Sequence, residues 1–127
     1  MKKLKILIAE DDDLSSQLIA LVLEQFKCET IKADTGEKAV VIMQSNPDID
    51  LIFMDIKMPK LNGYEATRLI RKFNSNVIII AQTAYALEGD KEKSIEAGCN
   101  EYISKPINKN ELEGLVKKYF EKTTQLQ

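Results

Sequence analysis

The sequence predicts an α/β fold: a five-stranded parallel sheet with helices on both faces, doubly wound within a single domain. Three observations predict it. The runs "ILIA", "LIFM" and "VIIIA" are continuously apolar rather than alternating, as in strands covered on both sides. Amphipathic segments separate these runs, so strand and helix patterns alternate five times. Acidic and other polar residues follow the runs directly, where open parallel sheets bind ligands.

The expected strands are Leu4–Ala9, Glu29–Ala33, Asp50–Met54, Val77–Gln82 and Cys99–Ile103. The second and fifth are more polar, as edge strands tend to be. Asp12 or Asp13 opens the first helix, on which Leu18, Ile19, Val22 and Phe26 share a face. Asp34-Thr35 is a capping site for the second helix. Asn62 caps the third, followed by Gly63 as a turn glycine. Gly98 follows "IEA" as a helix C-terminal glycine does. Asn108 opens the fifth helix, whose apolar face is Leu112, Leu115, Val116, Tyr119 and Phe120. The folded domain is expected to span residues 1–122, with a polar tail at 123–127.

Composition narrows the function. The 127 residues suffice for one domain with a real core. Hydrophobic residues make up 44% and charged residues 30%, which argues against disorder. A net charge of −2 gives no reason to expect a nucleic-acid or membrane-surface binder. No apolar run is long enough to span a membrane, and the N-terminus lacks a signal-peptide pattern. Cys28 and Cys99 form no C-x-x-C pair and read as reduced thiols of a cytoplasmic protein. The chain has no histidine, which excludes Ser-His-Asp and Cys-His catalysis, His-ligated zinc and a phosphohistidine of its own. A metal here must take oxygen ligands, which suit Mg²⁺, Mn²⁺ or Ca²⁺.

The residues after the strands form the candidate site. Glu10-Asp11-Asp12-Asp13 follows the first strand, Asp55 the third, Thr83-Ala84 the fourth and Lys105-Pro106 the fifth. The flavodoxin-like order 2-1-3-4-5 makes the first and third strands neighbours, so their acids meet. A helix cap accounts for Asp12 or Asp13 but not for four acids in a row. An EF-hand is excluded, because counting from Asp11 puts Ser16 at the glycine position and Val22 at the twelfth. Converging Glu10, Asp11 and Asp55 must gain protons or bind a cation, and Mg²⁺ is the economical choice. Asp55 beside a cation, Lys105 and the Thr83 hydroxyl is a nucleophile for a phosphoryl group.

The segments "ILIAEDD", "LIFMDIKMPKLNGYEA", "IIIAQTA" and "EYISKPI", in this order and spacing, resemble the receiver (response-regulator) domain of two-component and phosphorelay signalling. The resemblance covers essentially the whole chain. It implies that Asp55 is the phosphoacceptor, taking its phosphoryl group from a partner's phosphohistidine. It implies Mg²⁺ held by Asp11 and Asp55, by Glu10 mainly through water, and by the backbone carbonyl of Lys57. Thr83 and the Ala84 N–H would bind the phosphoryl group, and Lys105 would bridge one of its oxygens. The Lys105–Pro106 bond is expected to be cis. Tyr102 would act as a switch aromatic that turns inward when Thr83 moves. Lys57 and Tyr85 would flank the site and tune the lifetime of the acyl phosphate. The output would be a population shift of the face formed by the fourth helix, fifth strand and fifth helix, which could also pair two chains.

The resemblance implies a histidine kinase or histidine phosphotransfer domain as partner, with no nucleic acid or membrane bound by this domain. It implies a signalling module that catalyses only its own phosphorylation and dephosphorylation. "MDIKMPKLNGYEATRLIRK" and "AQTAYALEGDKEKSIEAGCNEYISKPI" are most similar to receivers of hybrid sensor histidine kinases. No output domain is expected within these 127 residues, so a stand-alone regulator, a phosphorelay intermediate and a receiver cut from a larger protein all fit. The rival readings are a small Mg²⁺-dependent aspartyl-phosphate phosphatase, a flavin mononucleotide binder and a docking module. The phosphatase reading leaves Asp55 and Lys105-Pro106 unexplained, the flavin reading lacks a Ser/Thr/Gly phosphate loop, and the intact acid, Thr and Lys set argues against docking alone.

Overall fold

Leu51, Ile52, Phe53 and Met54 are fully buried, as a strand covered by helices on both sides must be. The structure is a computed structural model and describes residues 3–83 and 89–121. Its strands are β1 (Leu4–Ala9), β2 (Cys28–Ala33), β3 (Leu51–Asp55), β4 (Ile78–Thr83) and β5 (Glu101–Ser104). They form one parallel sheet in the order β2-β1-β3-β4-β5, the expected flavodoxin-like arrangement. The helices are α1 (Asp13–Leu23), α2 (Gly36–Ser45), α3 (Gly63–Arg71), α4 (Asp90–Ala97) and α5 (Lys109–Val116). A 3₁₀ turn, Glu24–Phe26, extends α1, and a π-helical segment, Lys117–Glu121, extends α5.

Strand alternation divides the core into two layers. Ile6, Ile8, Leu51, Phe53, Ile80 and Ile103 face α1 and α5. Leu7, Ala9, Ile52, Met54, Ile79 and Ala81 face the opposite layer, where α2 and α3 pack. The side chains of Asp12, Thr35, Asn62 and Asn108 accept hydrogen bonds from backbone N–H groups of the first helical turns. Asn62 and Glu65 form a reciprocal capping box. The fourth helix ends at Gly98, whose φ is 115°.

Beyond one-residue changes at the ends of β2, β3 and β4, three expectations shift. Leu18 does not join the core face of α1: it is 41% exposed, while Leu23 is fully buried in its place. The core stripe is Ile19, Val22 and Leu23, which pack in one layer with Ile6 and Ile8 of β1 and Leu112 and Val116 of α5. The fifth strand begins at Glu101 rather than Cys99, because the Cys99 N–H is spent on closing α4 against the Ser94 carbonyl. Gly63 is not a turn glycine but the buried first residue of α3. Both cysteines are free thiols, Cys99 buried and Cys28 half-buried. The tail at 123–127 lies outside the described residues. No helix among the described residues is long and apolar enough to cross a membrane.

Candidate functional site

The C-terminal ends of β1, β3, β4 and β5 bring Glu10, Asp55, Thr83 and Lys105 to one edge of the sheet. Glu10 extends β1 through its N–H to the Ala33 carbonyl at 2.9 Å, and Asp55 is the last residue of β3. Carboxylate oxygens of Glu10, Asp11 and Asp55 all lie within 4.8 Å of one another. Glu10 is 5% exposed and Asp55 3%, whereas Asp11 is exposed. Asp12 is separated from this group by its cap: its side chain accepts from the Ser15 N–H at 3.0 Å and from the Ser15 hydroxyl at 2.7 Å. Those hydrogen bonds hold the Asp12 carboxyl below its ordinary pKa. The four-acid run thus splits into one capping residue, Asp12, one first-turn residue of α1, Asp13, and two residues, Glu10 and Asp11, that meet Asp55.

Among the described residues, one ammonium group pairs with both buried carboxylates. The Lys105 ammonium lies 2.7 Å from Glu10 Oε1 and 3.5 Å from Asp55 Oδ1. Glu10 Oε1 is buried and has no aligned hydrogen bond, so it depends on this ion pair. Burial, followed by the adjacent Glu10 carboxylate, pushes the Asp55 carboxyl up to about 8 despite Lys105. Burial would lower the Lys105 pKa, but Glu10 and Asp55 outweigh it and raise it. Three carboxylates with a single ammonium leave a surplus of negative charge, and hard oxygen donors are what Mg²⁺ and similar ions require. The donor set and the buried Glu10 oxygen therefore fit a divalent cation.

The surrounding loop is tied to Asp55. The Lys57 N–H donates to Asp55 Oδ1 at 3.3 Å while the residue itself is exposed. The Gly63 N–H donates to the Ile56 carbonyl at 2.9 Å, drawing the start of α3 onto the end of β3. A Cβ on Gly63 would lie 2.4 Å from the Asp55 carbonyl oxygen, so glycine is required there for close approach. Gly63→Ala is expected to lower stability by about 1–3 kcal/mol and to slow any chemistry at Asp55. Chemical denaturation of the variant checks this, and unchanged stability would contradict the packing account.

Thr83 ends β4 and is buried. Tyr102 on β5 is half-buried against the α2/α3 layer. The Lys105–Pro106 peptide is cis. Ala84 and Tyr85 lie outside the described residues. Sequence reasoning missed two features of this edge. Gln82 shares the row of Glu10 and Asp55 and is fully buried; a glutamine inside the apolar "VIIIAQT" was the available signal. Leu14, Leu18 and Leu21 form an exposed stripe on α1, 76%, 41% and 62% accessible, and their i, i+4, i+7 spacing was legible.

The fold and this acidic edge define a flavodoxin-like α/β domain with a carboxylate site at the C-terminal edge of its parallel sheet. The profile of the response regulator receiver domain matches residues 6–117, and the chain belongs to that family. Hybrid signal transduction histidine kinase I of Dictyostelium discoideum is 39% identical over 112 residues, 82% of this chain and 6% of that protein. The chain spans 4–10% of the length of four such hybrid kinases. The polar-differentiation response regulator DivK of Brucella ovis is 35% identical over 105 residues, 81% of this chain and 85% of DivK.

Two solved structures are informative. The receiver domain of sensor histidine kinase PA1611 from Pseudomonas aeruginosa superposes with a TM-score of 0.82 at 35% identity, covering 93% of this chain and 98% of that one. It was solved with a magnesium ion coordinated in its active-site cleft. The receiver domain of Saccharomyces cerevisiae Ssk1, in complex with the histidine phosphotransfer protein Ypd1, gives a TM-score of 0.85 at 32% identity, covering 92% of this chain and 88% of that one.

Proposed function

We propose that this domain accepts a phosphoryl group on Asp55 from a partner's phosphohistidine, in a Mg²⁺-dependent reaction, and switches a distal face in response. The observation that carries the reading is the meeting of Glu10, Asp11 and Asp55 within 4.8 Å, with Lys105 against them. An Asp55 carboxylate oxygen attacks phosphorus, the N–P bond of the donor breaks, and the imidazole leaves and takes up a proton. Glu10, Asp11, Asp55 and the Lys57 carbonyl would hold the cation. When bound, the cation neutralises charge on the transferring group. Lys105 pairs with a phosphoryl oxygen, and the Thr83 hydroxyl and Ala84 N–H donate to the others.

The donor needs a place to dock. The leucine stripe of α1 begins beside the acids, at Leu14, and suits an apolar helical face of a histidine phosphotransfer domain or histidine kinase. Binding such a partner by the Ssk1 receiver supports this assignment. On phosphorylation, movement of Thr83 and Tyr102 shifts the face made by α4, β5 and α5, which a downstream protein or a second copy reads. The similarity to hybrid kinases favours a place in a cytoplasmic phosphorelay.

Intact mass after incubation with Mg²⁺ and a small acyl-phosphate donor tests the reading. One added phosphoryl group, lost with chelator, is expected. Catalytic turnover of the donor without a labelled intermediate would instead indicate a phosphatase. Tyr85→Ala is expected to shorten the lifetime of the label severalfold by opening the site to attacking water. Label decay after donor removal measures this, and an equal or longer lifetime contradicts the role of Tyr85.

A further inference from the structure

Gln82 is the one residue of β4 whose burial has no explanation in packing. It is 0% exposed, and neither its amide nitrogen nor its amide oxygen has a hydrogen-bond partner. An unpartnered buried amide is costly, and a methionine or leucine would fill the same space without that cost. Gln82 follows Ile80 by two residues and therefore faces the α1/α5 layer, as Asp55 does after Phe53 and Lys105 after Ile103. Register places Asp55 opposite Gln82, and Gln82 opposite Ile103. Gln82 is thus the immediate cross-strand neighbour of Asp55.

The path of Lys105 makes this position significant. Lys105 starts beyond β5, yet its ammonium reaches Asp55 on β3 and Glu10 beside β1. The sheet order puts β4 between them, so the lysine stem crosses over β4. At the far end, the ammonium occupies the oxygens that a divalent cation would take. Two positive charges cannot share them, so cation binding drives the ammonium back along its own stem. A retreating ammonium keeps three N–H donors that need acceptors. Gln82 is the β4 residue opposite Asp55, and its amide oxygen is uncommitted.

We propose that Gln82 is a positioning residue of the phosphoryl site: its amide oxygen receives the Lys105 ammonium when a divalent cation displaces it from Glu10. The proposal rests on the reading of Glu10, Asp11 and Asp55 as the cation site. It explains why an amide is kept at a buried position where it has no hydrogen-bond partner. The lysine then stays near Asp55, ready to pair with an incoming phosphoryl oxygen, without opposing the cation.

Gln82→Met and Gln82→Leu test this, each alone and with Lys105→Met. The measurements are metal-free melting temperature and Mg²⁺ affinity by calorimetric titration. The apolar variants are expected to melt about 3–8 °C higher, because an orphan amide is removed. Their Mg²⁺ affinity is expected to fall by about 3–10-fold, because the displaced ammonium loses its acceptor. With Lys105→Met, which removes the ammonium, the same substitutions should leave Mg²⁺ affinity unchanged. That loss of effect separates a role through Lys105 from a merely structural one. Wild-type affinity in Gln82→Met and Gln82→Leu, or an equal effect with and without Lys105, overturns the proposal. Failure of both apolar variants to fold also overturns it, since Gln82 would then serve the fold itself. Absence of Mg²⁺ binding by the wild-type chain overturns the cation-site reading and the proposal together.

Discussion

Asp55→Asn reduces labelling by an acyl-phosphate donor to background and, at the same time, makes the metal-free domain more stable at pH 8. The first effect follows from removing the attacking oxygen. The second follows from the same burial that makes Asp55 reactive. Its carboxyl is pushed up to about 8, so the folded state holds this proton more tightly than the unfolded chain does. Between about pH 4 and pH 8 the unfolded chain is ionised at this position while the folded one is protonated. Stability therefore falls as pH rises through that window, by at most about 1.4 kcal/mol per pH unit from this group. Asparagine removes the slope and is expected to add about 1–2 kcal/mol at pH 8. Saturating Mg²⁺ flattens the wild-type slope as well, by replacing the proton with a cation. Urea denaturation at pH 5 and pH 8, with and without Mg²⁺, reads all of this. A variant less stable than wild type at pH 8 without metal would contradict the electrostatic account.

Lys105→Met has the opposite sign. It leaves Glu10 and Asp55, both nearly inaccessible, without the ammonium that now lies at 2.7 Å and 3.5 Å. Removing one partner of a buried ion pair strands the other, and a loss of about 2–4 kcal/mol is expected at pH 8 without metal. The loss is smaller at pH 5, where Asp55 is protonated. Mg²⁺ restores much of it, since the cation takes over the missing charge. Equal losses at the two pH values, or no rescue by Mg²⁺, would show that Lys105 acts through packing alone.

The fold was legible because its signals are local and redundant. Three continuous apolar runs, polar edge strands and the caps at Thr35, Asn62 and Asn108 all point to one topology. The acids were legible because topology puts the ends of β1 and β3 side by side. What stayed hidden depends on tertiary approach. Leu18 has the spacing of a core residue, but it is 41% exposed and Leu23 takes the buried place. Gly63 looked like a turn residue, and only the 2.4 Å approach to the Asp55 carbonyl reveals a packing requirement. Asp12 could not be separated from Asp13 as the helix cap by sequence, because either aspartate can cap; the Ser15 hydrogen bonds to Asp12 decide it.

The most direct test of the central claim locates the phosphoryl group. The chain would be labelled with Mg²⁺ and a small acyl-phosphate donor, the acyl phosphate reduced with borohydride, and the peptides sequenced by mass spectrometry. Reduction confined to Asp55 is the predicted result. Reduction at Asp11, Asp12 or Asp13 with Asp55 intact, or a stable phosphate on a hydroxyl side chain, would contradict the assignment of Asp55 as the phosphoacceptor.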